Sequence, residues 1–396
     1  MDLTQIYNGP YATFLMATAG ATVVKVEPPG GEPLRRRGVV GGAALPFAML
    51  NGCKNFVTLD LKSADGRAAL LELAARADVL VENFAPGTME RLGLGYDHLL
   101  EHNPRLIYAS SSGFGSDGPY ARYPAMDLTV QAIAGVMEVT GYPDRPPVKA
   151  GPALCDFFAG VHLHGAIVTA LLERERTGVV RRVEVAMQDA VYPSLSSSLG
   201  LHWGGGRDGA AARTGNRHGG LAEAPYNVYP ASDGYIAIIC TTDRHWQSLA
   251  ELMGKGEIAF TPGFASLKER VANIDAVDAL VAKWTSVRTK QEAFDALMSA
   301  HVPGAPVRNL DEVMADPNMH ARGALQWQDH PELGRIVVPH SPLRYAGSTL
   351  RSLEPSRDLG ADTATVLREC TGLDEETIGR LARLAMDERL PEKETE

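Results

Sequence analysis

NFVTLDLKSADGRAALLELAARADVLVEN, residues 55–83, has the pattern of a strand, a helix and a second strand. The runs at 55–61 and 78–83 are short and rich in β-branched or other apolar residues, which is typical of buried strands. Between them, Ser63 can cap a helix whose apolar side chains recur at i, i+3, i+4 and i+7, namely Leu70, Leu73, Ala74 and Ala77. This pattern predicts the βαβ unit of a parallel sheet.

Further strand-like runs surround this unit, at 21–27, 105–110 and 181–187. Together they predict an α/β fold with a mostly parallel sheet built from right-handed crossovers. From 226 to 240 the pattern changes to a hairpin that turns at residues 232–234 and is followed by helices. This second pattern predicts a smaller α+β domain.

Composition predicts the domain boundaries. Residues 196–220 are rich in Ser, Gly and Arg, which favours a connector with mobile loops. We therefore predict a large domain formed by residues 1–200 and 325–396, a connector at 201–220 and a small domain at 221–324.

Charge and hydropathy exclude several classes of function. The 396 residues are 45% hydrophobic and include 38 basic and 48 acidic residues, a net charge of -10 without a dense Lys/Arg tract, so nucleic-acid binding is not predicted. The uncharged run at 3–24 is interrupted by Asn, Gly and Pro and is too broken for a membrane span. The amino terminus lacks a basic region followed by an apolar one, so we expect a cytoplasmic protein.

Known motifs for metals and nucleotides are missing from the sequence. The cysteines are scattered singly, which predicts neither a disulfide framework nor a metal site: Cys53, Cys155, Cys240 and Cys370. The glycine-bearing turns contain no dinucleotide fingerprint, no P-loop and no nucleophile elbow.

One carboxylate, Asp156, stands at the head of an apolar helix predicted from about Phe157 to Arg176. Asp is a preferred N-cap, and replacing such a cap by Ala typically costs about 1 kcal/mol. The same position favours an ionised carboxylate, because the N–H groups and the dipole of the helix stabilise negative charge. An ionised carboxylate among small residues is also a candidate nucleophile. Both roles are open on this pattern.

Four stretches resemble the family III CoA-transferases, whose fold is shared by α-methylacyl-CoA racemase. They are GPYATFLMATAGATVVKVEPPGG (9–31), KNFVTLDLKSADGRAALLELAARADVLVENFAPGTMERLGLGY (54–96), GPALCDFFAGVHLHGAIVTALLERERTGVVRRVEVAMQDA (151–190) and VPGAPVRNLDEVMADPNMHARGALQWQDHPELGRIVVP (302–339). The resemblance implies a Rossmann-like large domain made from both chain ends and a smaller domain between them. It also implies an interlocked homodimer in which the connector spans the partner.

The resemblance implies a role for each matching residue. Asp156 corresponds to the family's catalytic aspartate, which forms mixed anhydrides and a covalent aspartyl-CoA thioester; coenzyme A enters as acyl-CoA, and no metal or redox cofactor is expected. The residues expected near CoA are Arg35, Lys62, Asn83, Phe84 and Arg91. Asp127 matches an acidic position beside the acyl pocket. Gly219 and Gly220 match a mobile glycine loop over the site, or they end a flexible linker.

Three features depart from the family pattern. Met126 occupies the position of a histidine in the racemases, so the pair of bases for 1,1-proton transfer is incomplete, which favours CoA transfer. Tyr7 occupies the position of a glutamine that contacts the aspartyl intermediate in formyl-CoA transferase, so formyl or oxalyl specificity is not expected. The family's first strand usually begins several residues earlier, so we expect a trimmed or shortened strand at Met1.

The chain is therefore expected to be a homodimeric acyl-CoA:carboxylate CoA-transferase. The alternatives are an acyl-CoA racemase or epimerase of the same fold, and a noncatalytic CoA-binding subunit in which Asp156 is only a cap. Arg213 and Arg217 could meet the far carboxylate of a dicarboxylic acyl group, or they could be solvated surface charges.

Overall fold

The computed structural model describes residues 1–37, 39–40, 43–204 and 213–387. The strands are β1 (Val24–Glu27), β2 (Val39–Val40), β3 (Ala43–Ala44), β4 (Asn55–Thr58), β5 (Val79–Glu82), β6 (Ile107–Ser112), β7 (Arg182–Ala186), β8 (Tyr226–Ala231), β9 (Gly234–Ile239), β10 (Gly304–Pro306), β11 (Leu325–His330) and β12 (Gly334–Pro339). The α-helices are α1 (Asn8–Thr18), α2 (Leu45–Asn51), α3 (Ala64–Arg76), α4 (Thr88–Arg91), α5 (Tyr96–His102), α6 (Asp127–Ile133), α7 (Leu154–Thr177), α8 (Met187–Val191), α9 (Ser196–Gly204), α10 (Asp243–Leu252), α11 (Leu267–Ala272), α12 (Ile274–Thr285), α13 (Lys290–Ser299), α14 (Leu310–Met314), α15 (Pro317–Ala321), α16 (Thr363–Cys370) and α17 (Glu375–Asp387).

A parallel sheet organises the first half of the chain. β1 pairs with β4, and β6 pairs with both β5 and β7, all in parallel. The first residues of the chain join the two groups, because Asp2 forms parallel bridges to Lys25 of β1 and to Val81 of β5. The predicted α/β fold with a mainly parallel sheet is therefore confirmed.

The βαβ unit around α3 forms as its sequence pattern predicts. The Ser63 hydroxyl caps the helix by accepting a hydrogen bond from the Gly66 N–H at 3.0 Å. Leu70 and Leu73 are buried in the core that also contains Leu80 of β5. Burying a leucine side chain contributes roughly 1.5–3 kcal/mol, so this apolar stripe fixes the helix on the sheet.

Helix α7 ends as predicted, at Gly178 with the left-handed φ of 75°. Its buried face, which includes Leu163 and Ile167, belongs to a core cluster with Ile107 of β6. Within the described part of the chain, α7 alone is long and apolar enough to cross a membrane, with a mean hydropathy of 1.5. Core helices of soluble proteins share this property, and one face of α7 packs on the sheet while another face is exposed.

Contacts divide the chain into two compact units. Unit 1 comprises residues 1–130, 152–191 and 316–396, and unit 2 comprises residues 131–151 and 192–315. In unit 2, β9 lies between β8 and β10 in an antiparallel sheet, which confirms the predicted hairpin. Its core is formed mainly by β8, β9, α10, α12 and α13, with members that include Tyr229, Ile236, Trp246, Leu249, Val281 and Leu297.

These units differ from the predicted domains. Residues 131–151 and 192–200 belong to unit 2, and residues 316–324 belong to unit 1. The stretch 196–204 forms α9, where composition favoured a connector. Serine is preferred at the N-cap of a helix, so a Ser-rich composition does not by itself exclude a helix. Residues 205–212 of the predicted connector lie outside the described residues.

Candidate active site

Asp156 is the third residue of α7 and is 9% exposed. Ala153 occupies the N-cap position and makes no side-chain cap. The cap comes instead from Asp127, whose Oδ1 accepts hydrogen bonds from the N–H groups of Cys155 at 2.8 Å and of Asp156 at 3.3 Å. The interpretation of Asp156 as the N-cap is therefore wrong, because its side chain follows the cap position by three residues.

The environment of Asp156 favours its neutral form more than the helix position alone suggests. Burial, and then the nearby charge of Asp127, raise the pKa of Asp156 from its ordinary value of 3.8 to about 7. The expectation of a fully ionised carboxylate is thus corrected, because the loss of water outweighs the helix N-terminus. Burial likewise raises the pKa of the adjacent Cys155 thiol to about 12, so a thiolate nucleophile is not available there.

Asp156 lies in the wall of a cavity of about 950 Å³ in unit 1. Asn83, Phe84 and Arg91 line the same cavity. The first two directly follow the carboxyl end of β5, and Ser112 at the end of β6 contributes to the same wall. Ligands of parallel α/β sheets usually bind at this edge. The structure thus brings three of the predicted CoA-contacting residues to the candidate nucleophile.

These three side chains are held in different ways. Asn83 makes two hydrogen bonds of 2.9 Å to the backbone of Gln5, with Oδ1 accepting from the N–H and Nδ2 donating to the carbonyl. Phe84 is partly buried, and Arg91 is exposed with Nη2 donating to Thr88 at 2.7 Å. Phe84 and Arg91 are therefore presented to a ligand, whereas the amide of Asn83 is engaged by the chain itself.

Arg35 and Lys62 do not line the cavity. The Arg35 guanidinium forms a two-bond ion pair with Glu27, at 2.7 and 2.8 Å, and lies over the Phe47 and Phe56 rings. Lys62 is exposed beside the N-terminus of α3. The geometry does not favour the predicted phosphate contacts for this pair of residues, because Glu27 already neutralises Arg35 and Lys62 stands apart from the cavity wall.

Tyr7 packs beside the first turn of α7, which carries Asp156, without lining the cavity. Its ring stacks on Phe157, the residue after Asp156, with 6.0 Å between ring centroids. Its neighbours Ile6 and Asn8 do line the cavity, as does Met126. The Tyr7 ring therefore supports the first turn of α7 from outside the cavity.

The predicted lid and its arginines lie in unit 2. Gly219 lies against Ser198, because a Cβ at this glycine would come within 3.1 Å of the Ser198 Oγ. Arg213 pairs with Glu138 at 3.2 Å. Arg217 pairs with Asp275 and Asp278, at 2.6 and 2.7 Å. Both arginines are thus neutralised by carboxylates of their own unit, and the lid role of Gly219 and Gly220 stays a prediction.

Two features of the cavity were not predicted from the sequence. Arg122 is an exposed cation of the cavity wall, in the loop before Asp127. Ile6 has a φ of 68°, which costs a β-branched residue roughly 1–3 kcal/mol. Residues 1–3 pair between β1 and β5, so Ile6 lies in the loop that follows this short strand. Loops at the carboxyl ends of parallel strands usually form the ligand site, and this rule could have predicted that Ile6 lies there.

Within the described residues, no group of three or more His, Cys, Asp or Glu side chains is placed to hold a metal ion.

Comparison with known proteins gives matches along nearly the whole chain. The sequence profile of CoA-transferase family III matches residues 1–363. The acetyl-CoA:oxalate CoA-transferase of Acetobacter aceti is 39% identical over 350 residues, 88% of each chain. The succinyl-CoA:mesaconate CoA-transferase of Haloarcula hispanica is 38% identical over 358 residues, 87% of this chain and 88% of that protein.

A solved structure has the same fold. The CAIB/BAIF family protein from Brucella suis superposes with a TM-score of 0.81 at 34% sequence identity. The match covers 93% of this chain and 97% of that chain.

Proposed function

Because this chain belongs to CoA-transferase family III, we propose that it moves CoA from an acyl-CoA to a free carboxylic acid through a covalent bond to Asp156. The observation that carries the proposal is the position of Asp156, which is buried in the wall of the cavity that also contains Phe84 and Arg91. A carboxylate needs no general base to become a nucleophile once it is ionised, and the pKa near 7 leaves an ionised fraction at neutral pH.

The reaction proceeds through four exchanges. An oxygen of the Asp156 carboxylate attacks the thioester carbonyl, which forms a mixed anhydride and releases CoA thiolate. The thiolate attacks the Asp156 carbonyl carbon, which forms an aspartyl-CoA thioester and releases the donor acid. The acceptor carboxylate attacks that thioester, giving a second anhydride and CoA thiolate. The thiolate then attacks the acceptor's carbonyl, giving the new acyl-CoA and free Asp156.

Each intermediate keeps an activated acyl group, so the free energy of the thioester is retained unless water attacks. The burial of Asp156 supports this requirement. The same burial raises the pKa of Asp156, so water exclusion reduces the ionised fraction of the nucleophile.

CoA is proposed to lie along the wall formed after β5. The Phe84 ring offers an apolar face to the adenine or the pantetheine arm, and the Arg91 guanidinium offers donors to a phosphate. Asn83 supports this wall indirectly, through its two hydrogen bonds to Gln5.

The acyl group is proposed to be small and dicarboxylic. The relatives are named for oxalate and mesaconate, so oxalyl groups stay among the candidates despite Tyr7. Arg122 can meet a second carboxylate from within the cavity wall, whereas Arg213 and Arg217 are already paired.

Met126 bears on racemisation, the alternative reaction for this fold. It lines the cavity where the racemases carry a histidine, and a thioether cannot exchange a proton. The noncatalytic alternative required Asp156 to act as a cap, and Asp127 has that role. Both observations favour CoA transfer.

A homodimer is part of the proposal. The face of α7 that does not pack on the sheet exposes apolar side chains at spacings of three, seven and four residues: Phe158, Val161, Val168 and Leu172. Such a stripe suits packing against a second helix.

A screen of CoA donors against mono- and dicarboxylic acceptors tests the function, with the new CoA ester identified by its mass. Wild-type enzyme is expected to form a new ester with at least one dicarboxylic acceptor. The matched variant Asp156→Asn keeps the size of the side chain and the Asp127 cap, and is expected to form none. Transfer by Asp156→Asn at the wild-type rate would contradict the proposal.

A further inference from the structure

The segment 4–8 forms part of the cavity wall next to the candidate nucleophile. Gln5, Ile6 and Asn8 line the cavity together with Asp156. The segment also touches α7 directly, because a Cβ at Gly160 would come within 2.6 Å of the Asn8 carbonyl oxygen. Gly160 lies one helical turn after Asp156 on the same face of α7. A shift of this segment would therefore change the surroundings of Asp156.

Ile6 is the strained residue of this segment, since its φ of 68° places a β-branched side chain in the left-handed region. Such a conformation persists only when the surrounding structure holds it. The Glu32 carboxylate supplies the hold, with Oε2 accepting hydrogen bonds from the Ile6 N–H at 2.9 Å and from the Leu34 N–H at 3.2 Å.

Lys25 contacts both the Glu32 carboxylate and the backbone of Thr4. Its Nζ lies 3.6 Å from Glu32 Oε1 and donates to the Thr4 carbonyl at 2.8 Å. The side chains of Lys25 and Glu32 are 0% and 3% exposed. This pair and Asn83 thus fix the backbone of three consecutive residues, Thr4, Gln5 and Ile6.

A buried ion pair is weak support for stability, because its desolvation offsets its attraction, but it can specify a conformation. A hydrogen bond to a charged acceptor is also stronger than one to a neutral acceptor. We propose that Glu32, paired with Lys25, is a positioning residue that holds Ile6 in the left-handed conformation and so fixes the cavity wall beside Asp156. This inference rests on the proposed function.

The test is a double-mutant cycle between Glu32 and Ile6. Glu32→Ala is expected to lower kcat by about tenfold to a hundredfold with little change in the KM for acyl-CoA, because Phe84 and Arg91 lie on another element. Glycine adopts this φ without steric cost. The double variant Ile6→Gly/Glu32→Ala is therefore expected to have a kcat within about threefold of that of Ile6→Gly alone. Failure of this rescue would overturn the inference.

The conservative variant Glu32→Gln keeps an acceptor for Ile6 and loses the attraction to Lys25, so its kcat is expected to lie between those of wild type and Glu32→Ala. It also serves if Glu32→Ala does not fold. Glu32→Gln could instead lose as much kcat as a poorly folded Glu32→Ala, and lose folded protein to the same extent. That result would indicate a structural role only and would overturn the inference.

Amide hydrogen exchange separates this inference from the proposed function, because it requires no turnover. Both Glu32 variants are expected to speed exchange of the amides at 4–8 while exchange in the β5 to β7 sheet is unchanged. Unchanged exchange at 4–8 would overturn the inference whatever the activity. If the Glu32 variants exchange faster at 4–8 but the wild type transfers no CoA, the proposed function is contradicted and the positioning role of Glu32 is not.

Discussion

The carboxylate of Asp127 caps the helix that carries Asp156, at 2.8 Å from the Cys155 nitrogen and 3.3 Å from the Asp156 nitrogen. One acidic residue therefore holds the start of α7, and the other presents its side chain to the cavity. The same proximity couples their charges, because Asp127 contributes to the raised pKa of Asp156.

This coupling predicts the pH dependence of the reaction. The proposed attack requires ionised Asp156, so kcat/KM is expected to rise with pH up to about 7 and then to level off. Asp127→Asn keeps an acceptor for the cap and removes the charge, which should lower the pKa of Asp156. The rise is expected to move to lower pH by about half a unit to one unit. A rise that moves to higher pH would contradict the assignment.

Burial of Asp156 predicts a gain in stability when the acid is removed. Asp156 titrates near pH 3.8 in the unfolded chain and near 7 in the folded one, so raising the pH between these values lowers the free energy of unfolding. Asp156→Asn is expected to raise the free energy of unfolding at pH 8 by about 1–4 kcal/mol, and by less at pH 5. Chemical denaturation at both pH values measures this, and a variant less stable than wild type at pH 8 would refute the burial argument.

The wall after β5 predicts which cation binds CoA. Arg91 lines the cavity and Lys62 does not, although both are exposed. Arg91→Ala is expected to raise the KM for acyl-CoA by about tenfold with a smaller effect on kcat, because a phosphate contact persists through the reaction. Lys62→Ala is the matched control and should leave the KM within about twofold. Equal effects of the two variants would argue against this placement of CoA.

The exposed stripe of α7 predicts the oligomeric state. A glutamate in place of Val168 would put a charge into the proposed helix contact, and a charged residue at an interface core is costly. Wild type is expected to sediment at twice the chain mass, and Val168→Glu is expected to sediment as a monomer. Val287, which is 75% exposed in unit 2, provides the control Val287→Glu. A dimer that survives Val168→Glu would place the contact elsewhere.

Local patterns predicted the elements that depend on local chemistry. Ser63 caps α3, and Gly178 ends α7, because both effects involve residues within one turn. The role of Asp127 was missed as a cap because it lies 28 residues before Cys155 in sequence and reaches α7 only through the fold. The domain boundaries differed for a similar reason, since composition reports local preference and not which residues pack together.

In the candidate site too, local sequence patterns predicted some residues, whereas others depend on contacts between distant parts of the chain. The loop after β5 was predicted to approach CoA, and the parallel sheet brings Phe84 and Arg91 to the cavity. Arg35 was also expected there, but its partner Glu27 engages it in an ion pair that the sequence does not reveal. The strain at Ile6 depends on a bond to Glu32 across 26 residues, and no local pattern signals it.

The proposed covalent bond to Asp156 is tested most directly by trapping it. Enzyme is incubated with an acyl-CoA donor and then treated with borohydride or hydroxylamine, and the peptide containing residues 151–174 is analysed by mass spectrometry. A donor-dependent mass change on Asp156, as its alcohol or its hydroxamate, is expected in wild type, and none is expected in Asp156→Asn. An unmodified Asp156 in enzyme that turns over at its full rate would contradict it.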